Sequence, residues 1–235
     1  MYRPRILFLA LLVSTMTAAC TQHGELPREA HWLRDSAEYR AIVLATYSQE
    51  RRRLEELVED REAGTWAVAL DADETVISNS LYEKELAQAG LSHSRERWNA
   101  WVARGEATAL PGARAFLERV HALGGKIAIV TNRRQPNCEL TEANFRAQEL
   151  PFDVILCRTD DERKESRWER VEQGKTHAGL PPLTILLWLG DNIQDFPGWK
   201  QGKRFDPEDA YADFGRRYFV FPNPVYGSWT DNEPE

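Results

Sequence analysis

The sequence has 235 residues, a composition typical of globular proteins and a formal net charge of −7 at neutral pH. A chain of this length can form one sizeable domain with a small appendage. The negative charge argues against a nucleic acid polymer as the partner, because proteins that bind such polymers carry a basic face. A small anionic substrate remains compatible with this charge if a metal ion and a few local cations receive it.

The N-terminal segment is typical of an export signal. Arg3 and Arg5 precede an apolar run at residues 6–13, which is too short to span a bilayer, and small residues lead up to Cys20. A cysteine in this place resembles the lipidated first residue of bacterial lipoproteins. We therefore predict a lipid on Cys20, with a plain cleaved signal peptide as the alternative. Thr21 rather than aspartate follows, which predicts the outer membrane if the organism is Gram-negative.

These features divide the chain into three predicted segments. We predict a signal peptide over residues 1–19, a polar tether over residues 20–29 and one folded domain over residues 30–235. A lipid on Cys20 is the only attachment to a membrane that we predict for these segments. The sequence does not fix the oligomeric state and is compatible with a homodimer.

The elements predicted for the domain alternate between helix and strand. An apolar stripe with helical periodicity predicts one long helix over residues 30–60, which packs on the outside of a sheet. Further helices are predicted at residues 113–123, at about 139–148 and before residue 173. Short apolar runs predict strands at residues 67–70, 126–130, 154–157 and 184–189, with an edge strand at 217–221. The predicted fold class is therefore α/β, with a mainly parallel, Rossmann-like sheet flanked by helices.

A long insert separates the first strand from the next helix of the sheet. It runs from residue 81 to about residue 110, which is long for a connection and predicts a small helical cap over the strand ends. One of its helices is predicted to begin at Ser92 or Ser94 and carries Trp98 and Trp101 on one face. Core packing is the default interpretation of these tryptophans, and an aromatic wall over a ligand is the alternative.

Three of the predicted strands end in polar side chains. Asp71 and Asp73 follow the first strand, Thr131 follows the second, and Asp191 and Asp195 follow the last. In a parallel sheet these ends meet at one edge, where ligands bind. Four carboxylates repel one another unless a hard cation neutralises them, and oxygen ligands favour Mg²⁺. The alternative for the first strand is a solvated acidic turn.

These strand ends resemble the four ordered motifs of the haloacid dehalogenase superfamily. The motifs are the Asp-x-Asp-x-Thr pattern at residues 71–75, the strand end at 131–133, Lys164 and residues 190–195. The chain is more narrowly similar to class C acid phosphatases, bacterial lipoproteins that hydrolyse phosphomonoesters and include a five-prime nucleotidase group. The narrower likeness rests on the lipoprotein-like start and on residues 32–47, 79–82, 98–101, 111–113 and 222–229.

The resemblance implies a role for each motif residue. Asp71 is the expected nucleophile, which forms an aspartyl-phosphate. Asp73 is expected to protonate the leaving alkoxide and then to activate the hydrolytic water. Thr131 and Lys164 are expected to hold the phosphoryl oxygens, and Asn132 to contact the substrate.

The resemblance also implies a magnesium site. Its expected ligands are Asp71, the backbone carbonyl of Asp73 and Asp191, with Asp195 as an adjacent carboxylate. The metal offsets the repulsion between an anionic nucleophile and an anionic phosphate.

Two lysines compete for the place in the third motif. Lys175 follows a glycine that ends a predicted helix, whereas Lys164 and Arg167 preserve the Lys-x-x-Arg arrangement of the family. We therefore predict that Lys164 is the lysine of the site and that Lys175 is a solvated turn residue.

The predicted function is a Mg²⁺-dependent phosphomonoesterase for small phosphate esters, with five-prime nucleotides as the expected substrates. The resemblance suggests that Trp98 and Tyr226 sandwich the nucleobase, because aromatic stacking accepts any base. The alternative for this pair is packing within the cap and at the C-terminal edge. Two other functions remain open: a broad acid phosphatase or phosphotransferase without base preference, and a non-catalytic surface or storage protein on the same fold.

Cys138 and Cys157 are the cysteines other than Cys20. In an oxidising exported compartment they can form a disulfide. Two separate buried thiols are the alternative, and the apolar run around Cys157 fits this alternative well. The sequence does not show whether their Cα atoms are close enough to bond.

Overall fold

The computed structural model describes residues 25–160 and 162–233. The strands in this part of the chain are β1 (Trp66–Leu70), β2 (Ile77–Ser78), β3 (Thr108–Ala109), β4 (Lys126–Arg134), β5 (Val154–Arg158), β6 (Thr184–Gly190) and β7 (Tyr218–Val220). The α-helices are α1 (Arg28–Asp35), α2 (Ala37–Val58), α3 (Ser80–Ala89), α4 (Arg95–Arg104), α5 (Ala113–Ala122), α6 (Cys138–Ala147) and α7 (Lys164–Glu172).

The centre of the fold is a five-stranded sheet in the order β5-β4-β1-β6-β7, and each neighbouring pair runs parallel. The predicted α/β fold with a mainly parallel sheet flanked by helices is confirmed, and β7 is the edge strand that the sequence predicted. Strand β1 lies in the middle, and all five of its residues are buried. Because parallel strands run in the same direction, the residues that follow β1, β4 and β6 leave the sheet at one edge.

Helices cover both faces of the sheet, and the alternation of side chains along β1 separates two cores. Val68 and Leu70 pack into the core that contains residues of α2 and α5. Ala67 and Ala69 point to the opposite face, where Trp168 of α7 contributes to the second core. A central strand covered on both faces has no solvent side, which explains its uninterrupted apolar run.

The long helix predicted over residues 30–60 is in fact two helices. The chain is extended at Ser36, whose hydroxyl accepts a hydrogen bond from the Tyr39 backbone N–H at 3.0 Å and so caps α2. The prediction was wrong at this point because the apolar stripe continues across the break. Helix α1 also begins at Arg28, inside the segment predicted as a tether.

The predicted signal peptide and the predicted lipid site at Cys20 lie outside the described residues and stay predictions. Among the helices that the structure does describe, none has the length and apolarity needed to cross a membrane.

The insert after the first motif carries helices α3 and α4. At its base β2 and β3 pair antiparallel, with Ile77 opposite Ala109 and Ser78 opposite Thr108. Helix α4 begins at the second of the two predicted capping serines, because the Ser94 hydroxyl accepts a hydrogen bond from Arg97 N–H at 3.2 Å. The two-stranded ladder therefore fixes both ends of the helical segment next to the main sheet.

Cys138 and Cys157 form a disulfide between the first turn of α6 and strand β5, with 5.8 Å between their Cα atoms. Of the two alternatives that the sequence left open, a disulfide and two separate thiols, the structure contains the disulfide. A cross-link over 19 residues of sequence stabilises the fold by about 3 kcal/mol in the chain-entropy account. It fastens α6 to β5 directly beside the end of β4.

Glu50 of α2 is fully buried, and neither of its carboxylate oxygens has a hydrogen-bond partner. Burial raises the pKa of Glu50 well above its ordinary value. The folded state therefore keeps a proton that the unfolded chain releases near pH 4, and stability falls as pH rises above that value, by at most about 1.4 kcal/mol per pH unit.

We expect Glu50→Gln to remove this pH dependence. In urea unfolding, the variant should gain stability relative to the wild type as pH rises from 4 to 8. Glu59→Gln, at an exposed carboxylate just after the same helix, is the matched control and should follow the wild type at every pH. A stability difference between Glu50→Gln and the wild type that stays constant with pH would contradict the assignment of a buried, protonated carboxyl.

Candidate active site

A cavity of about 440 Å³ opens at the carboxyl edge of the sheet. Asp71 directly follows β1, and its backbone N–H continues the ladder by donating to the Leu189 carbonyl of β6 at 2.9 Å. The cavity is lined by Asp71, Asp73, Glu83, His93, Trp98, Asn132, Arg133, Asp191, Asn192, Asp195, Val225 and Tyr226. The acidic residues predicted from the ends of the first and last motif strands, Asp71, Asp73, Asp191 and Asp195, therefore meet in one place.

Three carboxylates converge at the floor of this cavity. Oxygens of Asp71, Asp191 and Asp195 lie within 4.8 Å of one another. Burial raises the pKa of Asp71 to about 7, with Lys164 opposing the shift and Asp195 adding to it. Burial and the charges of Asp195 and Asp71 raise the pKa of Asp191 well above its ordinary value. Such a cluster of oxygen donors fits a hard divalent cation, which would offset the repulsion between the carboxylates.

Asp195 is held by the turn that follows β6. Its carboxylate accepts a hydrogen bond from the Asn192 backbone N–H at 2.9 Å, and its own N–H donates to the Asn192 carbonyl at 2.9 Å. Gly190 lies so close to the Asp195 side chain that a Cβ at this position would collide with it. The glycine before the acidic turn is therefore a steric requirement of the site.

Lys164, the first residue of α7, reaches into the carboxylate cluster. Its Nζ lies 2.6 Å from Asp71 Oδ1 and 2.7 Å from Asp195 Oδ1. Burial opposes its charge, but the carboxylates of Asp195 and Asp71 raise the pKa of Lys164 above its ordinary value. Lys175, the competing lysine, is exposed. The lysine that the sequence favoured is therefore the one beside Asp71.

The Asp73 carboxylate turns away from the cluster. It accepts hydrogen bonds from the Arg133 guanidinium at 2.8–3.2 Å and from Asn79 Nδ2 at 2.8 Å. Asn79 is fixed in turn, because its Oδ1 accepts from the indole N–H of Trp101 at 2.8 Å. Since the Asp73 side chain is engaged in this way, the expected metal contact through its backbone carbonyl does not compete with its carboxylate.

The second motif places one of its two predicted side chains in the cavity and buries the other. Asn132 lines the cavity, whereas Thr131 is fully buried and is not among the lining residues. The Thr131 hydroxyl accepts a hydrogen bond from the Arg133 backbone N–H at 3.1 Å. Arg167 holds this strand end, because its guanidinium donates to the Thr131 carbonyl and, at 2.9 Å, to Asn132 Oδ1.

The two tryptophans of α4 have different environments. Trp101 is buried in the core, whereas Trp98 is partly exposed and lines the cavity together with Tyr226. Trp98 packs edge-on against Tyr82 with 5.4 Å between ring centroids, and the Arg133 guanidinium lies 5.4 Å from its ring. Core packing therefore describes Trp101, whereas Trp98 packs at the margin of the core and lines the cavity.

Several residues of the site had no predicted role. Glu74 is buried and has a positive φ of 48°, and its carboxylate accepts from Asn79 N–H at 2.6 Å and from the Tyr226 hydroxyl. Burial and the charge of Asp73 raise the pKa of Glu74 to about 8. Asn223 donates to Asp191 Oδ2 at 2.7 Å.

The position of these residues explains why sequence reasoning missed them. Asn79, Glu74 and Arg133 lie within or next to the recognised motifs, and that proximity is the only signal that points to them. Asn223 had no signal beyond its place in the C-terminal aromatic segment.

The parallel sheet with acidic strand ends and a buried lysine defines a haloacid dehalogenase (HAD) type of fold. The family whose model matches residues 13–229 is described as the HAD superfamily, subfamily IIIB (acid phosphatase). The chain belongs to this family. The predicted family is thus confirmed, and the predicted enzyme class, a phosphatase, is that of the family.

Solved structures of the class C acid phosphatase from Bacillus anthracis are similar to this chain. One is 29% identical with a TM-score of 0.77 and covers 86% of this chain and 84% of that one. Another, with tungstate bound, is 27% identical with a TM-score of 0.76 and the same coverage.

A plant protein is a more distant relative. The stem 28 kDa glycoprotein of Glycine max is 25% identical over an alignment of 164 residues that covers 66% of this chain and 57% of that protein. The chain therefore spans little more than half the length of this relative.

Proposed function

We propose that this protein hydrolyses small phosphate monoesters with Mg²⁺, through an aspartyl-phosphate on Asp71. The observation that carries the proposal is the position of the Asp71 carboxylate at the floor of the cavity, with Lys164 bound to Oδ1. The lysine leaves Oδ2 for attack on phosphorus. The relative that binds tungstate supports an oxyanion substrate, because tungstate is tetrahedral like phosphate.

In the first step Asp71 Oδ2 forms a bond to phosphorus while the bond from phosphorus to the ester oxygen breaks. The leaving alkoxide takes a proton from Asp73 and departs as the alcohol. Arg133 and Asn79 hold the Asp73 side chain, and contacts from two sides limit its rotation. Lys164 stays beside the attacking carboxylate and stabilises the charge on the transferred group.

In the second step water attacks the phosphorus of the aspartyl-phosphate. Asp73, now ionised, accepts a proton from this water, and the bond between phosphorus and Asp71 breaks. Inorganic phosphate leaves, and both carboxylates return to their starting states. The same group therefore acts as acid and then as base, which requires that it stays within reach of the scissile bond.

Asp71, Asp191 and the Asp73 backbone carbonyl would hold the magnesium ion, with Asp195 beside it. The fit rests on the converging oxygens of the three carboxylates and on the raised pKa of Asp191, which marks a cluster whose negative charge Lys164 does not fully offset. When bound, the ion neutralises charge on the nucleophile and on the phosphoryl oxygens.

A substrate panel with and without a chelator tests this proposal. The panel contains a nucleoside five-prime monophosphate, ribose 5-phosphate and an aryl phosphate. We expect hydrolysis of phosphate esters, a loss of at least about a hundredfold with EDTA and recovery on addition of Mg²⁺. Full activity in EDTA would contradict the metal requirement. A protein inert toward every ester with Mg²⁺ present would instead favour the non-catalytic surface or storage protein.

Nucleotides are the substrates that we propose within this class. Trp98 and Tyr226 line the cavity that also contains Asp71, so a base attached to the reacting phosphate meets aromatic rings. Stacking on an aromatic side chain contributes about 1–3 kcal/mol per base. A sugar phosphate without a base gains none of this energy.

Trp98→Ala should therefore lower kcat/KM for the nucleotide about tenfold relative to ribose 5-phosphate. The informative quantity is the ratio of kcat/KM for the nucleotide to kcat/KM for ribose 5-phosphate. Trp98 also contacts Arg133, so loss of the Trp98 ring affects every substrate through Asp73. Trp98→Phe, which keeps a ring, is the matched control and should retain most of the preference. An unchanged ratio in Trp98→Ala would favour the acid phosphatase or phosphotransferase without base preference.

A further inference from the structure

Two arginines lie side by side at the carboxyl edge of the sheet. Arg134 of β4 and Arg158 of β5 are register partners in the parallel ladder. Like charges directly opposite each other destabilise a sheet. Arg158 Nε donates to the Asp160 carbonyl at 3.0 Å, which orients the guanidinium but does not neutralise it. Arg134 is exposed and Arg158 is half-buried, so solvent screens part of their repulsion, and no carboxylate in the ladder offsets the rest.

A third arginine reaches the same place from the cap. Arg95 is the first residue of α4, and a cation in the first turn of a helix opposes the helix dipole. None of the three arginines forms an ion pair with a carboxylate of residues 25–160 or 162–233. Three positive charges therefore meet at one place without a carboxylate partner among the described residues.

These arginines enclose a small cavity, which we call the arginine pocket. Its volume is about 180 Å³, and it is lined by His93, Arg95, Trp98, Asn99, Asn132, Arg134, Asn137 and Arg158. This lining contains no aspartate or glutamate. A neighbouring groove of about 500 Å³ shares Asn132 and Arg158 with it, but Glu162 and Glu165 are part of the lining of that groove, so its charge is mixed. The arginine pocket is thus the more specific place for an anion.

The arginine pocket adjoins the cavity above Asp71. His93, Trp98 and Asn132 line both spaces. A group bound among the arginines therefore lies next to a substrate whose phosphate is at Asp71. Trp98 lines the arginine pocket and is also the ring on which we propose that the base of the leaving group stacks, so the arginine pocket adjoins the place proposed for the leaving group.

We propose that the arginine pocket binds a second phosphate group of the substrate, so that the preferred esters are small bisphosphates. This inference rests on the proposed phosphatase function. The second phosphate is not cleaved, and it binds on the leaving-group side while the first is transferred to Asp71. Arginine suits this task because its planar guanidinium donates two parallel hydrogen bonds to a phosphate. The anion also removes the repulsion between Arg134 and Arg158.

Paired substrates that differ by one phosphate test the proposal. Adenosine 5′-monophosphate is compared with adenosine 3′,5′-bisphosphate, and fructose 6-phosphate with fructose 1,6-bisphosphate. We expect the wild type to have at least about a tenfold higher kcat/KM for one or both bisphosphates, the value of one charge-assisted hydrogen bond. The two pairs distinguish a nucleoside from a sugar as the carrier of the second phosphate.

In the double variant Arg134→Gln with Arg158→Gln, the ratio of kcat/KM for the bisphosphate to kcat/KM for the monophosphate should fall close to one. Arg61→Gln is the matched control, because Arg61 is exposed and precedes β1 at the opposite edge of the sheet. It makes the same kind of substitution, with the loss of one positive charge, and should keep the wild-type ratio. A ratio that is equal in the double variant and in the wild type would overturn the proposal.

A binding measurement separates this proposal from the proposed function. Calorimetry on Asp71→Asn, with or without the two glutamine substitutions, measures affinity for the same bisphosphates in the absence of turnover. Tighter binding of a bisphosphate than of its monophosphate, lost on substitution of the arginines, would support the arginine pocket even if the wild type hydrolysed none of the esters. Equal affinities in both backgrounds would overturn the proposal even if the phosphatase activity were present.

Discussion

Asp71→Asn is expected to lower phosphatase turnover at least about a thousandfold. The amide cannot form the aspartyl-phosphate, and the neighbouring carboxylates of Asp191 and Asp195 are expected to hold the metal rather than to attack. The fold should persist, since asparagine has the shape of aspartate and the change removes one charge from a repelling cluster. Lys164 keeps its contact with Asp195 at 2.7 Å.

Steady-state rates with Mg²⁺ and thermal unfolding of the same preparation measure the two parts of this prediction. Asp206→Asn is the matched control, because Asp206 is exposed and the substitution is the same. The control should have wild-type rates. Wild-type turnover in Asp71→Asn would refute the nucleophile, and a large loss of thermal stability would show that the inactivity arises from misfolding.

The parts of the fold that the sequence predicted depend on local signals. The apolar runs of β1 and β6 are surrounded by polar residues, so the strands and the acidic residues after them could be recognised without tertiary information. Parallel pairing then brings Asp71 and Asp191 to one edge. By contrast, Asp73 and Arg133 are 60 residues apart in sequence, and nothing local indicates that they bond. Networks of this kind depend on the packed fold.

The tryptophans of α4 show the limit of periodicity. A spacing of three residues places Trp98 and Trp101 on the same helical face, which predicts a shared environment. The helix lies at the boundary between the core and the cavity, so Trp101 is buried against Asn79 while Trp98 stays partly exposed. The break at Ser36 has a similar cause, because one capping hydroxyl interrupts a stripe that continues on both sides. Periodicity shows which residues share one face of a helix. It does not show where along that face the core gives way to a cavity, or where the helix is interrupted.

Lys164→Met is expected to reduce turnover at least about a hundredfold, because the transferred phosphoryl group loses its buried cation. The same substitution should also destabilise the protein by about 3–5 kcal/mol in the absence of divalent cations. Lys164 is the cation that contacts both Asp71 and Asp195 in the described residues, and its removal leaves buried carboxylates facing one another. A lysine needed only for phosphate binding would change the rate and leave the stability unchanged.

The pH dependence separates these effects further. Burial raises the pKa of Asp71 to about 7, and Lys164 lowers that pKa, so the variant should bind this proton still more tightly. Below pH 7 Asp71 is protonated in both proteins, so its charge adds nothing to the loss of stability. Above pH 7 the wild type ionises Asp71 beside Lys164, whereas the variant keeps the proton, so the loss should grow by at most about 1.4 kcal/mol per pH unit. Lys175→Met provides the matched control, because Lys175 is exposed and the substitution is the same. If Lys175→Met rather than Lys164→Met reduced turnover, the assignment of the lysine would be wrong. If the loss of stability in Lys164→Met did not depend on pH, Lys164 would stabilise the fold by packing and not by its charge.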